Sequence, residues 1–208
     1  MIKKIISILL IYITFSCSSA KVKKGDILYR NLNEMDYTEI LYSFKNIKEY
    51  NSKTGSNFIK NNNHVLDSIF LKDSEKFQIR NKVHLPKDLT SELIKDLVSE
   101  LDKSFNSTKL EKFPINISSI LKSDTKFLFI PFIEPSLELN ESYSNRNTVL
   151  ITNPYYTVKS FELKIFIIDV SQNTILFYGS KEAIRDKSLS YGHNMLRSLN
   201  EIFKEFNN

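Results

Sequence analysis

Residues 157–183 read TVKSFELKIFIIDVSQNTILFYGSKEA. Two runs rich in β-branched and aromatic residues, 157–170 and 174–183, are separated by Ser171, Gln172 and Asn173 alone. A parallel partner needs a crossover of a dozen or more residues, whereas antiparallel strands can be joined by a tight turn. The spacing therefore predicts a hairpin, and the chain must build an antiparallel sheet around it. Phe161, Leu163, Ile165 and Ile167 fall on one face of its first strand. Phe166, Ile168 and Val170 fall on the other. The second half of that strand should be covered on both sides.

The covering layers are also written in the chain. Leu89, Leu93, Leu97, Leu101 and Phe105 recur every four residues after Pro86 and a capping Asp88, which predicts a helix. Met195, Leu199, Ile202 and Phe206 make a second helical stripe near the C-terminus, flanked by Leu196 and Phe203. KFLFIPFIE, 126–134, reads as a strand whose Pro131 marks an edge or a bulge. TVLIT, 148–152, reads as a short strand, and the polar EPSLELNESYSNRN before it as a connection. Earlier, Tyr37, Ile40, Leu41, Phe44 and Ile47 predict an amphipathic helix over 35–50. The Asn-rich 51–63 reads as a loop or mobile segment. Alternation of Phe77, Ile79, Asn81 and Val83 predicts a strand. The expected fold class is α+β: a mostly antiparallel sheet with a long hairpin, and helices packed on it including a C-terminal helix.

The chain opens differently. Lys3 and Lys4 precede an apolar run from Ile5 to Phe15, then Ser16 and Cys17. A basic head, an apolar stretch and a small residue at a cut site make a secretory signal. The run is far short of the roughly 20 residues a spanning helix needs. TFSC, 14–17, resembles the lipobox of bacterial lipoproteins, with Ser16 before the cut and Cys17 after it. Thr14 and Phe15 depart from the family's usual leucine and small residue. The resemblance implies a diacylglycerol thioether on Cys17 and further acylation of the new amino terminus. It also gives the single cysteine of an exported chain a role, since an internal disulfide needs two. Ser18 is not the aspartate that holds enterobacterial lipoproteins at the inner membrane, which implies the outer membrane facing the periplasm. The expected organisation is a signal peptide (1–16), a lipidated cysteine and basic tether (17–25), a helical, partly mobile lead-in (26–85) and an α+β domain (86–208). The later pattern also resembles curli-secretion-type lipoproteins and outer-membrane activators of peptidoglycan synthases. It shares a strand with Pro131-Phe132, a hairpin strand ending Asp169-Val170 and a C-terminal helix. Those families carry no functional residue over to this chain beyond Cys17.

Charge and motifs exclude more than they assign. The net charge is +5, and the leader contributes Lys3 and Lys4 with no acid. The remaining charges are interspersed, so nucleic acid is not an expected partner. Four glycines, none clustered, give no phosphate-cradling loop, and no cofactor is expected. His64, His84 and His193 lack metal-ligand spacing. A cryptic hydrolase would have to use a triple such as Ser190, His193 and Asp169, without the GxSxG elbow. Glu138 and Glu141 are read as solvated loop acids rather than an acid–base pair. Tyr143, Tyr155 and Tyr156, in segments expected to be exposed loops, are the candidate contact residues for a protein or glycan. The expected role is non-enzymatic binding or assembly by a lipid-anchored envelope protein. The alternatives are an envelope hydrolase with His193 as base, and an oligomeric pore or secretion-assembly subunit.

Overall fold

The computed structural model describes residues 20–24, 34–44, 47–85, 91–103, 112–113, 116–117, 121, 124–146, 149–184 and 191–207. In chain order these form β1 (Lys21–Lys24), β2 (Met35–Tyr37), β3 (Leu41–Tyr42), α1 (Ile47–Asn51), α2 (Lys53–Lys72), α3 (Ser74–Phe77) and β4 (Ile79–Lys82). Then follow α4 (Ser91–Lys103), β5 (Phe127–Arg146), β6 (Val149–Asp169), β7 (Thr174–Ile184) and α5 (Tyr191–Asn207). All strands join one sheet in the order β1-β7-β6-β5-β2-β4, with β3 also against β5. The β1, β7, β6 and β5 pairings are antiparallel, while β2 and β3 run parallel to β5 and β4 parallel to β2. The fold is α+β, with a mixed sheet.

The hairpin forms as its spacing predicts. Asn173 sits at φ 54°, a left-handed conformation that asparagine tolerates. Asp169 Oδ1 accepts from Ser171 Oγ at 2.7 Å and from the Gln172 N–H at 2.9 Å, closing the turn. Asn173 Nδ2 donates to the Phe113 carbonyl at 2.7 Å, and its Oδ1 accepts from the Ile117 N–H at 3.1 Å. The turn thus anchors the segment that carries Phe113 and Ile117.

The sheet is covered on both faces. On one, Phe129, Ile133, Leu163, Ile165, Ile167 and Phe177 meet α2, α3 and α5 through Leu66, Phe70, Phe77, Leu199 and Ile202. On the other, Leu128, Ile130, Phe132, Phe166 and Ile168 meet α4 through Ile94, Leu97, Val98 and Leu101, together with Phe113 and Ile117. Each such buried side chain contributes on the order of 1.5–3 kcal/mol of apolar transfer free energy, before conformational costs. The two faces of β6 divide as its alternation predicts.

Several local expectations are corrected. Residues 35–50 do not form one helix. Met35–Tyr37 and Leu41–Tyr42 add to the sheet beside β5, and only Ile47–Asn51 is helical. Met35, Tyr37, Ile40 and Tyr42 are all buried, and pairing with β5 overrides the helical spacing of Tyr37, Ile40, Leu41, Phe44 and Ile47. Residues 53–63, expected as loop, are the first half of α2. Ser52 caps it by accepting from the Gly55 N–H at 2.9 Å. Its asparagines have structural partners: Asn62 Nδ2 donates to the Phe58 carbonyl at 2.8 Å, and Asn63 Oδ1 accepts from the Ile40 N–H at 2.9 Å. The first bond is local to the helix and the second is tertiary; together they offset the poor helix propensity of asparagine. The expected strand around 77–83 is shorter, since Phe77 ends α3 and only Ile79–Lys82 pairs.

The described strands of the lead-in, β2, β3 and β4, therefore belong to the same sheet as the rest. Its Asp36, 1 % exposed, accepts from Arg80 Nε at 3.1 Å and Nη2 at 2.9 Å, from the Asn81 N–H at 3.2 Å and from Thr125 Oγ1 at 2.5 Å. Burial raises its pKa, but the Arg80, Thr125 and Asn81 bonds outweigh that and hold the carboxyl below the ordinary value. Likewise Lys21–Lys24, expected as tether, pairs with β7 from Lys21↔Ser180 to Lys24↔Phe177. Pro131 is neither at an outer edge nor in a bulge. Phe129 and Ile133 accept backbone bonds from Thr38 and Ser43, so Pro131, midway, turns its missing N–H to the gap between β2 and β3.

Gly179 of β7 lets α5 close onto the sheet. A Cβ there would lie 2.6 Å from Ile202 Cγ2 and 2.8 Å from Phe177 Cε1. Gly179→Ala should lower unfolding free energy by about 1–3 kcal/mol through overpacking, read by urea denaturation. An unchanged midpoint and slope would mean that α5 is not seated as described.

Candidate functional site

Strands β5 and β6 outrun the rest of the sheet. β3 pairs with β5 only to Ile133, and β7 pairs with β6 only from Ser160. From Leu137↔Val158 to Arg146↔Val149 the two strands pair with each other, and among the described residues with nothing else. Ten residues at about 3.4 Å each make a two-stranded ribbon about 34 Å long. The ribbon starts at a bulge: Ser136 pairs with Ser160 and Leu137 with Val158, leaving Lys159 as the extra residue. The bulge keeps Phe161 and Val158 both against the α2-side cluster and re-aims the strands beyond it.

The segment expected as a loop, 134–147, is therefore largely strand, and 149–152 is continuous with β6. Leu137 still packs on the core, but Leu139, two residues on, is 55 % exposed. Tyr156 lies opposite Leu139 in the register and is half-buried. Tyr155, on the other face, is 49 % exposed and pairs with Asn140. Asn140 Nδ2 donates to Thr157 Oγ1 at 2.8 Å, a cross-strand clasp on the Tyr155 face. Tyr155 and Tyr156 thus fall on opposite faces of one ribbon rather than together on a loop. Tyr143 pairs with Thr152 in the same ribbon, and its side chain lies outside the described residues. Leu139 escaped the sequence reading, although the alternation of Leu137 and Leu139 in SLELNE is its signal. Ser16 and Cys17 lie outside the described residues.

A second polar feature sits where β5, β6 and β7 pass under α4. Glu134, Glu162 and Glu182 occupy one cross-strand row, and Phe132, Lys164 and Ser180 the next. Lys164, with a side chain 3 % exposed, reaches Glu134 Oε2 at 2.6 Å, Asp102 Oδ2 at 2.8 Å and Glu162 Oε2 at 3.3 Å. Tyr178 Oη donates to Asp102 Oδ1 at 2.7 Å, and Ser180 Oγ donates to Glu162. Burial works against the Lys164 charge, but the bonds to Asp102 and Glu134 and the field of Glu162 outweigh it, so its pKa is raised. Burial raises the Tyr178 pKa, and the neighbouring carboxylates add to the effect. Lys164 is thus held as an ammonium and Tyr178 as a neutral phenol. Neither is poised as a nucleophile or base near neutral pH. Val98, Ser99, Asp102, Glu134 and Lys164 line a pocket of about 420 Å³ there. The arrangement can staple α4 to three strands. Its sequence signal was the polar Glu162 and Lys164 on the face that continues with Phe166 and Ile168.

Of the three hydrolase candidates, the described residues include Asp169 and His193. Asp169 is used by the β6–β7 turn, His193 is exposed in the first turn of α5, and Ser190 lies outside the described residues. No described helix is long and apolar enough to cross a membrane.

Compared with known proteins, the chain matches no family model and no curated protein. Solved structures give distant likenesses. One is a PelC dodecamer from Paraburkholderia phytofirmans, at 10 % identity and TM-score 0.36, over 84 % of this chain and 86 % of that one. Another is a putative neuraminyllactose-binding hemagglutinin homolog from Helicobacter pylori, at 13 % identity and TM-score 0.33, over 88 % and 85 %. Similarity of that size assigns neither a family nor an activity.

Lys164→Met should lower unfolding free energy at pH 7 by about 1–3 kcal/mol, because it leaves three clustered, partly exposed carboxylates, Asp102, Glu134 and Glu162, without the cation they share, and solvent screens part of their repulsion. The deficit should shrink as pH rises far enough for the wild-type lysine to lose its own charge. In the native protein, a raised lysine pKa stabilises fully below the ordinary value of about 10.5 and is lost as pH rises through the folded value. Urea titrations at several pH values check both. A deficit that stays as large above the ordinary lysine value as at pH 7 would assign the effect to packing instead.

Proposed function

We propose that this chain is a lipid-anchored protein of the bacterial envelope that works by contact rather than catalysis, and that the β5–β6 ribbon is its contact arm. The observation that carries this reading is the ribbon itself. Two strands without a third, or a layer to pack on, are marginally stable in water. Their free edges invite pairing with another chain. Leu139 and Tyr155 place apolar surface on both ribbon faces, and tyrosine is among the residues favoured at protein contacts. The polar groups best placed for chemistry elsewhere, Lys164 and its carboxylates, satisfy one another.

The anchor is Cys17, on its resemblance to the lipobox, with Ser16 before the cleavage point. Two or three acyl chains hold stably, each buried methylene contributing about 0.8 kcal/mol. The location proposed is the outer membrane facing the periplasm, with another envelope component as partner. Tyr155, Tyr156 and Leu139 are its proposed contacts.

Two measurements test the halves separately. An alkyne fatty acid fed to producing cells should label the protein, and Cys17→Ser should abolish both label and membrane retention. Label persisting in Cys17→Ser would reject the anchor. The double variant Leu139→Ser/Tyr155→Ser should keep its melting temperature within a few degrees, since both side chains are largely exposed. It should lose cross-links formed from a photoreactive residue at position 157. Unchanged cross-links would reject the ribbon as contact arm.

A further inference from the structure

We propose that the partner of the ribbon is a second copy of this chain, and that the open edge of its β5 segment pairs with the open edge of β1 on the neighbour. This rests on reading the ribbon as a contact arm and names what the arm meets.

The choice of edges follows from charge and donors. The ribbon has two edges. The β6 edge, 149–158, contains Pro154, which has no N–H to give, and no charged residue. The β5 edge, 137–146, contains no proline; it carries Glu138 and Glu141 in the run ELNE, and its one cation, Arg146, is at the far end of the strand, five residues beyond Glu141. Glu138 is exposed, and among the described residues no cation pairs with it. The β5 edge is therefore the acidic, hydrogen-bond-competent one.

The sheet ends in two outer strands, β4 and β1. Both are basic, but the β4 cations are used within the fold. Arg80 is bound to Asp36 at 2.9 Å, and Lys82 to Asp67 at 2.9 Å. β1 reads KVKK, three lysines and no acid in four residues. It pairs with β7 on one side, and among the described residues no strand occupies the other. A lysine-rich strand is how natural sheets discourage indiscriminate edge pairing. The same lysines admit an acidic strand selectively, because unlike charges favour the match and like charges reject others. KVKK and ELNE are equal in length and opposite in sign. Strand addition would supply main-chain hydrogen bonds, and the charges would set the partner.

The two edges are different surfaces of one chain, so the contact is head-to-tail. Repeated, it closes a ring or extends a filament rather than stopping at a symmetric pair.

The test uses the full-length protein, extracted in detergent and weighed by light scattering and native mass spectrometry. Wild type should form species larger than a dimer, with association weakening about tenfold or more on going to high salt as the charges are screened. Glu138→Lys/Glu141→Lys makes both edges basic. Lys21→Glu/Lys23→Glu/Lys24→Glu makes both acidic. Each variant alone should be monomeric, and mixing the two should restore assembly, because each ribbon then meets an opposite edge. A second measurement needs no variant: a zero-length carbodiimide cross-linker applied to a mixture of ¹⁴N- and ¹⁵N-labelled wild type. It should join a Glu138–Glu141 peptide of one label to a Lys21–Lys24 peptide of the other. A monomeric wild type at all concentrations would overturn the proposal. So would folded variants that assemble alone like wild type, or mixed-isotope cross-links that avoid these two segments. If wild type is monomeric yet the Leu139/Tyr155 double variant still loses its photo-cross-links, the contact arm stands and the second copy does not.

Discussion

Strand β6 is buried without interruption from Leu163 to Ile168, and the rest of the molecule is arranged to permit that. A strand hidden on both faces needs a helical layer on each side and a paired neighbour along each edge. β5 and β7 supply the edges. α2 and α5 cover Leu163, Ile165 and Ile167, and α4 covers Phe166 and Ile168. The C-terminal helix can close only because Gly179 offers no side chain against Ile202. Even the short parallel strands β2 and β3 extend the sheet on the far side of β5.

Within this apolar frame two charged groups are buried deliberately, and each joins distant parts of the chain. Lys164 gathers a carboxylate from α4, one from β5 and one from its own strand. Asp36 gathers Arg80 and Asn81 from β4 and Thr125 from the approach to β5. Buried ion pairs are a poor source of net stability, because desolvation offsets much of the attraction. They penalise misarrangement heavily, since any slip of register leaves a charge without its partner. Both networks therefore act on which packing is chosen more than on how strongly it is held.

The hairpin turn, the α4 and α5 helices and the two-faced burial of β6 were legible because local signals agreed with the tertiary outcome. Asn173 suited both the turn and the bonds to Phe113 and Ile117. The first half of the chain was misread where long-range bonds decided the structure. Asn63 looks like a loop residue until Ile40, from the segment between β2 and β3, is placed beside it. Tyr37, Ile40, Leu41, Phe44 and Ile47 fit a helical period, yet Tyr37 and Leu41 fall on two separate strand fragments, with buried Ile40 between them. The ribbon was half legible. Tyr155 and Tyr156 were singled out, but as loop residues, because polar strand residues without a third strand carry no burial pattern to announce them. The Lys164 cluster depends on a cross-strand register that a single sequence does not reveal.

The incorporation of Lys21–Lys24 into the sheet has a geometric consequence for a protein held by Cys17. Only Ser18, Ser19 and Ala20 separate that cysteine from the first paired strand at Lys21, a reach of at most about 14 Å. A lipid there would not leave the domain swinging on a leash. It would hold the β1 end of the sheet close to the head groups and restrict the domain's tilt. Copies in one leaflet would then diffuse as similarly oriented bodies confined to a plane. Much of the translational and rotational entropy of association would be lost to the membrane before two copies met. An edge contact that forms in solution only at raised concentration would then persist at low copy number, because the bilayer raises the effective concentration of one copy around the next.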